Sequence, residues 1–245
     1  MDSIEMITVP ETLHGYPGVA FGGYVAGLLA ARTPAAETGA VRVDFRRPVP
    51  TGTAVRAAPG PDGGTELLGR DGVLLAAATP VPAPAGEVPP APTWAEASKA
   101  ADAYRADPPA GESPDCFGCG LDRTAATGLR LHCGTVPGRD IVATAWTPGP
   151  ELATEDGLLP PVLVWGALDC PGNAAGRLLD PGPPGAFTAA LTARLLRPVP
   201  AGGGLISYAW LLGVEGRKVR VGTALATAEG ELRAHAEALW VRPRP

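Results

Sequence analysis

The sequence has little charge, few aromatic residues and no excess of positive charge. Charged residues make up 18% of its 245 positions, and 20 Lys and Arg stand against 25 Asp and Glu, giving a net charge of −5. A nucleic-acid surface needs a dense cationic patch, so we expect no nucleic-acid partner. The sequence also lacks an apolar run of the roughly 20 residues that a membrane helix requires. We therefore expect no membrane partner.

The amino terminus and the cysteines both favour a cytoplasmic location. Met1–Pro10 is acidic and shows neither the basic nor the apolar region of a signal peptide. The four cysteines are then expected to be thiols in a reducing compartment. A hydrophobic content of 45% over this length is enough for one large core or two small ones.

One motif occurs twice. Arg47–Gly52 reads RPVPTG, and Arg197–Gly202 reads RPVPAG. Each copy ends a strand-like run of alternating apolar residues, and each run follows an apolar helical stretch, at Phe21–Arg32 and at Val162–Leu179. Such a duplication predicts two like units packed together, with a site built between them.

Each unit is predicted to hold a buried helix against an antiparallel sheet, which is an α+β fold. Proline-rich sequence at 86–112 predicts a linker, and Thr93 and Glu96 form a capping box that opens a short helix within it. The predicted domains are therefore 1–85, the linker 86–112, and 113–245. Strands are predicted at about 40–47, 53–58, 65–69, 73–79, 140–146, 187–197, 204–213, 217–227 and 231–242.

Three stretches resemble motifs of the hotdog-fold thioesterases of the phenylacetate type. His14–Gly23 resembles the family's Gly-x-Pro-Gly-x-x-His-Gly-Gly segment, with Phe21 in place of the usual His. Cys116–Gly120, followed by Gly128–Leu131, is similar to the stretch that opens many single-domain members. Trp165–Asp169 resembles the helix segment that ends in the family's catalytic carboxylate. The resemblance implies a double hotdog, in which two antiparallel sheets each wrap around a central helix in a fused pseudo-dimer.

The resemblance also implies acyl thioester hydrolysis, on acyl-CoA or an acyl-carrier thioester, without a metal or an organic cofactor. In the family the carboxylate stands eight residues after the first Gly of His-Gly-Gly. Counting from Gly22 gives Ala30, and counting back from Asp169 gives Pro161, so each half keeps one part of the machinery.

Hydrolysis needs donors for the developing oxyanion and a carboxylate that attacks or activates water. Antiparallel central helices would bring the start of one helix near the middle of the other. We therefore predict one composite site, in which the amides of Gly22, Gly23 and Tyr24 serve as donors and Asp169 serves as nucleophile or general base. The mirror site, formed by Pro161 and Ala30, is predicted to be inactive.

Each candidate also has a structural interpretation. Asp169 could bond backbone where Pro171 interrupts the helix, and Gly22-Gly23 could serve close helix–sheet packing. Phe21 and Trp165 could line the acyl pocket or fill the core. His14 could contact substrate, although a loop histidine bonded to backbone is the simpler interpretation.

The Cys116-x-x-Cys119 pair leaves three possibilities open. With His132 and Cys133 it could form a zinc site, although the spacing fits only loosely. It could instead be a redox pair or a structural turn, and we favour the turn and predict no metal.

Two rival functions remain from sequence. A hotdog dehydratase or hydratase would normally need a His paired with an acid, for which His14 is the available candidate. A non-catalytic acyl-thioester-binding protein would explain the missing family His. The fold is also compatible with a homo-oligomer of pseudo-dimers.

Overall fold

The computed structural model describes residues 4–34, 39–111 and 113–244. The limits of the predicted domains at residues 1, 112 and 245 lie outside the described residues. The helices are α1 (Gly22–Ala30), α2 (Trp94–Ala106) and α3 (Pro161–Leu178). The strands are β1 (Glu5–Thr8), β2 (His14–Tyr16), β3 (Val19–Ala20), β4 (Ala40–Phe45), β5 (Ala54–Pro59), β6 (Thr65–Leu68), β7 (Leu74–Val81), β8 (Gly134–Thr135), β9 (Ile141–Trp146), β10 (Phe187–Leu195), β11 (Leu205–Glu215), β12 (Lys218–Thr227) and β13 (Leu232–Val241).

Strands from both halves form one continuous antiparallel sheet of eleven strands, in the order β1-β5-β6-β7-β4-β10-β13-β12-β11-β9-β8. The halves meet where β4 pairs with β10, with Val43 opposite Leu191. We expected two sheets, one in each half, and the structure joins them instead. The physical reason is that each unit ends in an edge strand whose backbone groups need partners. Pairing β4 with β10 satisfies both edges at once.

The repeated motif occupies equivalent places in the two halves. The Ala20 amide donates to the Val49 carbonyl at 2.8 Å, and the Leu159 amide donates to the Val199 carbonyl at the same distance. The duplication seen in sequence is therefore also a duplication of backbone contacts, and it places the start of α1 in correspondence with the start of α3.

Helices α1 and α3 cross in close contact at the centre of the main core. A Cβ added to Gly23 would lie 2.7 Å from the Gly166 Cα, and one added to Gly27 would lie 2.6 Å from the Val162 Cα. From Gly23 to Gly27 the chain of α1 moves forward, while the facing residues on α3 go back from Gly166 to Val162. The helices are therefore antiparallel, as predicted. Glycine allows this approach because a side chain at either position would collide with the opposing backbone.

Helix α3 continues through Pro171, although this proline cannot donate to the carbonyl of Ala167. The buried Ser207 hydroxyl on β11 donates to that carbonyl at 2.7 Å and replaces the missing bond. The helix therefore stays intact beyond Asp169, and the interruption considered from sequence does not occur.

The proline-rich segment is attached to the second half. The capping box predicted at Thr93 and Glu96 is present at the start of α2. Helix α2 packs on the face of the sheet opposite α3, and the Tyr208 hydroxyl donates to the carbonyl of Pro89 at 2.9 Å. Among the described residues, no helix combines the length and apolar character needed to span a bilayer.

Candidate active site

Asp169 lies inside the molecule and is held by groups from two other elements. The residue is 1% exposed. Its Oδ2 accepts a hydrogen bond from the Gly23 amide at 2.7 Å, and its Oδ1 accepts one from the Thr188 hydroxyl at 2.8 Å. Gly23 is at the start of α1, where backbone N–H groups have no partner within the helix. The crossing of α1 and α3 thus brings an acid from one half to the unsatisfied amides of the other.

Burial governs the acidity of this carboxyl group. Loss of solvent raises the pKa of Asp169 to about 7, although the hydrogen bonds from Thr188 and Gly23 act in the opposite direction. A buried carboxyl without such donors would be costly. The Asp169 carboxyl group therefore keeps its proton to a higher pH than an aspartic acid in water does.

Gly22 adjoins both Asp169 and Thr188. A Cβ at this position would lie 3.1 Å from the Asp169 Oδ2 and 3.3 Å from the Thr188 Oγ1. Within the described part of the chain, the Gly22 amide donates to no other backbone group and to no side chain. The Gly23 amide, predicted to bind a substrate carbonyl, is bound to Asp169 instead.

A cavity of about 310 Å³ opens beside these residues. Its volume lies at the lower end of the range of small-molecule sites, about 300–1,000 Å³. Both halves contribute to the wall. The lining includes Tyr16, Phe21, Gly22, Phe45, Arg46, Arg47, Cys116, Cys119, Asp169, Cys170, Asn173, Arg177, Phe187, Thr188 and Trp240.

The predicted site residues divide into two groups. Asp169, Gly22 and Phe21 share the cavity wall, and Gly23 lies directly behind Asp169. Tyr24 and Trp165 lie outside this wall and pack with the main core. Phe21 is 3% exposed and packs against Phe117 with ring centroids 5.9 Å apart.

His14, the first residue of β2, ties the segment just before that strand to the loop at Asp115. Its Nδ1 lies 2.7 Å from the Glu11 carbonyl oxygen, and its Nε2 lies 2.9 Å from the Asp115 Oδ2. Both ring nitrogens are therefore engaged with protein groups outside the cavity wall. This is the structural interpretation considered from sequence.

Sequence reasoning missed most of the wall. No sequence motif marked Thr188, because its partner Asp169 lies 19 residues away in the chain. Tyr16 and Phe187 also come from separate segments of the chain. Their ring centroids lie 4.9 Å apart. Arg46 and Arg47 could have been found, since Arg47 begins one copy of the repeat and Arg46 precedes it.

Three cysteines line the same cavity. The Sγ atoms of Cys116, Cys119 and Cys170 lie within 4.8 Å of one another. Hydrogen bonds from the thiols of Cys119 and Cys170 lower the pKa of Cys116. His132 and Cys133, considered from sequence as further zinc ligands, do not belong to this group of ligand atoms in the described residues.

Comparison with solved structures identifies the fold. Acyl-CoA thioesterase II TesB2 from Mycobacterium marinum superimposes with a TM-score of 0.62 at 13% identity, covering 99% of this chain and 93% of that one. The tesB protein of Mycobacterium avium subs paratuberculosis gives 0.60 at 13% identity, covering 98% and 93%. The chain has a thioesterase fold. These matches span both halves of the chain.

No protein-family model matches the sequence, and no curated protein matches it. The thioesterase fold agrees with the resemblance to hotdog-fold thioesterases noted in the sequence.

Proposed function

We propose that the protein hydrolyses acyl thioesters, with acyl-CoA as the substrate class, at one composite site between two hotdog units. The observation that carries the proposal is the Asp169 carboxyl group, which lies at a cavity wall and is held by donors from both halves. Preorganised polar groups at a water-poor cavity are what acyl transfer requires. The proteins that share the fold include one described as an acyl-CoA thioesterase II, of which this chain covers 93%.

In this proposal Asp169 attacks the thioester carbonyl carbon or accepts a proton from the water that attacks it. The Gly23 amide and the Thr188 hydroxyl hold the carboxylate in place. The Gly22 amide is then the donor for the carbonyl oxygen as it becomes anionic, because it is the α1 amide that adjoins the cavity and Asp169. In the general-base route water adds to the carbonyl carbon, the C–S bond breaks, and the proton that Asp169 took from the water passes to the departing thiolate of coenzyme A. In the nucleophilic route the C–S bond breaks as the acyl group forms a mixed anhydride with Asp169. Water then cleaves that anhydride, which gives the carboxylic acid, restores Asp169 and supplies the proton for the thiolate.

The composition of the cavity supports an acyl substrate. Aromatic side chains supply an apolar wall for the acyl chain, and Arg46 and Arg47 supply exposed positive charge for the phosphates of coenzyme A. Among the described residues, Asp169 is the acidic member of this wall. A small apolar pocket with a cationic rim fits an acyl-CoA better than a neutral ester.

Two observations favour hydrolysis over its rivals. A dehydratase or hydratase would use a His with the acid, yet Asp169 is bonded to Gly23 and Thr188, and His14 is bonded to Glu11 and Asp115. A passive binding protein has no need for a carboxylate buried at the cavity wall and held by two donors.

The test is thiol release from a panel of acyl-CoA esters of different chain length, comparing the wild type with Asp169→Asn. We expect a loss of at least ~100-fold in kcat/KM, the scale of a general base or nucleophile. The asparagine side chain can still accept a hydrogen bond from the Gly23 amide, so the fold should remain intact.

Asp44→Asn is the matched control, because Asp44 pairs with Arg42 outside the cavity. It should keep wild-type activity. Equal activity in Asp169→Asn would remove this residue from the mechanism. An acyl chain that changes without release of thiol would indicate a lyase, and thermal stabilisation by acyl-CoA without turnover would indicate a binding protein.

A further inference from the structure

The three thiols at the cavity lie close enough together to hold one metal ion. Their Sγ atoms are within 4.8 Å of one another. In a tetrahedral zinc site with Zn–S bonds of about 2.3 Å, the sulfur atoms are about 3.8 Å apart. A contraction of about 1 Å or less, within reach of side-chain rotation, would bring the three sulfurs to bonding positions.

The turn that carries two of these thiols is built around glycine. A Cβ at Gly120 would lie 2.7 Å from both the amide nitrogen and the carbonyl oxygen of Cys116, so this tight turn excludes other residues. The Gly120 amide donates to the Cys116 carbonyl at 2.8 Å and closes the turn. The turn directs Cys116 and Cys119 towards one point.

The third thiol reaches that point because Gly118 has no side chain. A Cβ at Gly118 would lie 2.3 Å from the Cys170 Sγ. The Gly118 amide also donates to the Cys116 Sγ at 3.3 Å. Such N–H to sulfur bonds orient thiolate ligands in metal sites. The Cys-Phe-Gly-Cys-Gly sequence thus accounts for the convergence with helix α3.

We propose that Cys116, Cys119 and Cys170 bind one zinc ion at the wall of the cavity. Thiolates suit zinc, and three protein ligands with one remaining position describe an open site rather than a closed structural one. Because all three cysteines line the cavity, the fourth ligand comes from the contents of the cavity. The zinc proposal does not rest on the proposed hydrolysis, although the two sites share one cavity. It differs from the Cys116, Cys119, His132 and Cys133 combination considered from sequence.

The test measures metal content in protein purified under reducing conditions and dialysed without chelator. We expect about one zinc ion per chain in the wild type, and loss of that zinc in Cys116→Ser, Cys119→Ser and Cys170→Ser, because each variant removes one ligand. Cys133→Ser is the matched control. Cys133 is buried like Cys116 and Cys170, lies outside the group and should keep the zinc.

A second measurement does not depend on the folding of the variants. Cobalt(II) added to metal-free wild-type protein should give a sulfur-to-cobalt charge-transfer band, and zinc should displace it. Zinc should also protect Cys116, Cys119 and Cys170 from alkylation, as read by peptide mass spectrometry.

The proposal is overturned by a wild type that holds no zinc and gives no cobalt band. It is equally overturned if Cys170→Ser keeps its zinc, because the third ligand would then be wrong. Thiol release by a zinc-free wild type would leave the hydrolase proposal standing alone, so the two proposals fail separately.

Discussion

At the scale of single residues, the site depends on two groups that lack hydrogen-bond partners of their own and bind each other. A helix start exposes backbone donors, and a buried carboxyl group needs them. Gly23 and Asp169 satisfy each other across the boundary between the halves. The same bond fixes the carboxyl group beside Gly22, so one contact serves both the stability of the site and its proposed chemistry.

Arg47 provides a test of coenzyme recognition. Its side chain is exposed at the cavity wall, and Arg47→Gln should raise the KM for acyl-CoA about 2–5-fold with little change in kcat, the scale of one exposed charge pair. The effect should shrink as salt is added. Steady-state kinetics with acyl-CoA and with an acyl-pantetheine, which lacks the nucleotide phosphates, would measure it.

Arg197→Gln is the control for this prediction, because Arg197 holds the equivalent position in the second repeat and pairs with Glu231. It should leave the KM unchanged. An equal rise in KM for acyl-CoA and acyl-pantetheine in Arg47→Gln would argue against a contact with the phosphates.

At the scale of elements, the crossing of α1 and α3 decides whether the site forms. Gly27→Ala should lower the free energy of unfolding by about 1–3 kcal/mol, because the new methyl group meets the backbone of Val162, which cannot move aside cheaply. This loss outweighs the gain in helix propensity of up to ~1 kcal/mol. Denaturant titration would measure the change.

Gly203→Ala offers a comparison, since a Cβ there meets no heavy atom within 4 Å. Its unfolding free energy should stay within about 0.5 kcal/mol of the wild type. If both variants had the same stability, the close approach of α1 and α3 would not be a constraint.

The local pattern of apolar and polar residues predicted most helices and strands. It could not predict which distant residues those helices and strands would contact. Alternation placed β13 closely, since Ala234, Ala236, Ala238 and Trp240 are buried and their neighbours are less so. Strand β1 was missed because Glu5–Thr8 is short and mostly exposed. Thr188 and Cys170 escaped because each acts on a residue distant in sequence, and no spacing rule encodes such a contact.

At the scale of the whole molecule, the halves share a sheet and a core. Residues of both contribute to one hydrophobic cluster, from Val25 and Leu29 on α1 to Leu168 on α3. The sheet continues from one half to the other through β4 and β10. Neither half can unfold without exposing an apolar surface and a strand edge of the other.

The protein should therefore unfold in one cooperative transition. Scanning calorimetry should give a single peak whose calorimetric and van't Hoff enthalpies agree. Two resolved peaks would mean that the halves are stable apart. Far-ultraviolet circular dichroism and tryptophan fluorescence should report the same midpoint.

The repeat also has a consequence for divergence. In an assembly of two identical subunits, each substitution changes both sites at once, so neither can be lost without the other. Here the counterparts of Gly22 and Asp169 are Pro161 and Ala30, so one polypeptide can carry different residues at the two places. We therefore expect saturating ligand to occupy one place for each polypeptide.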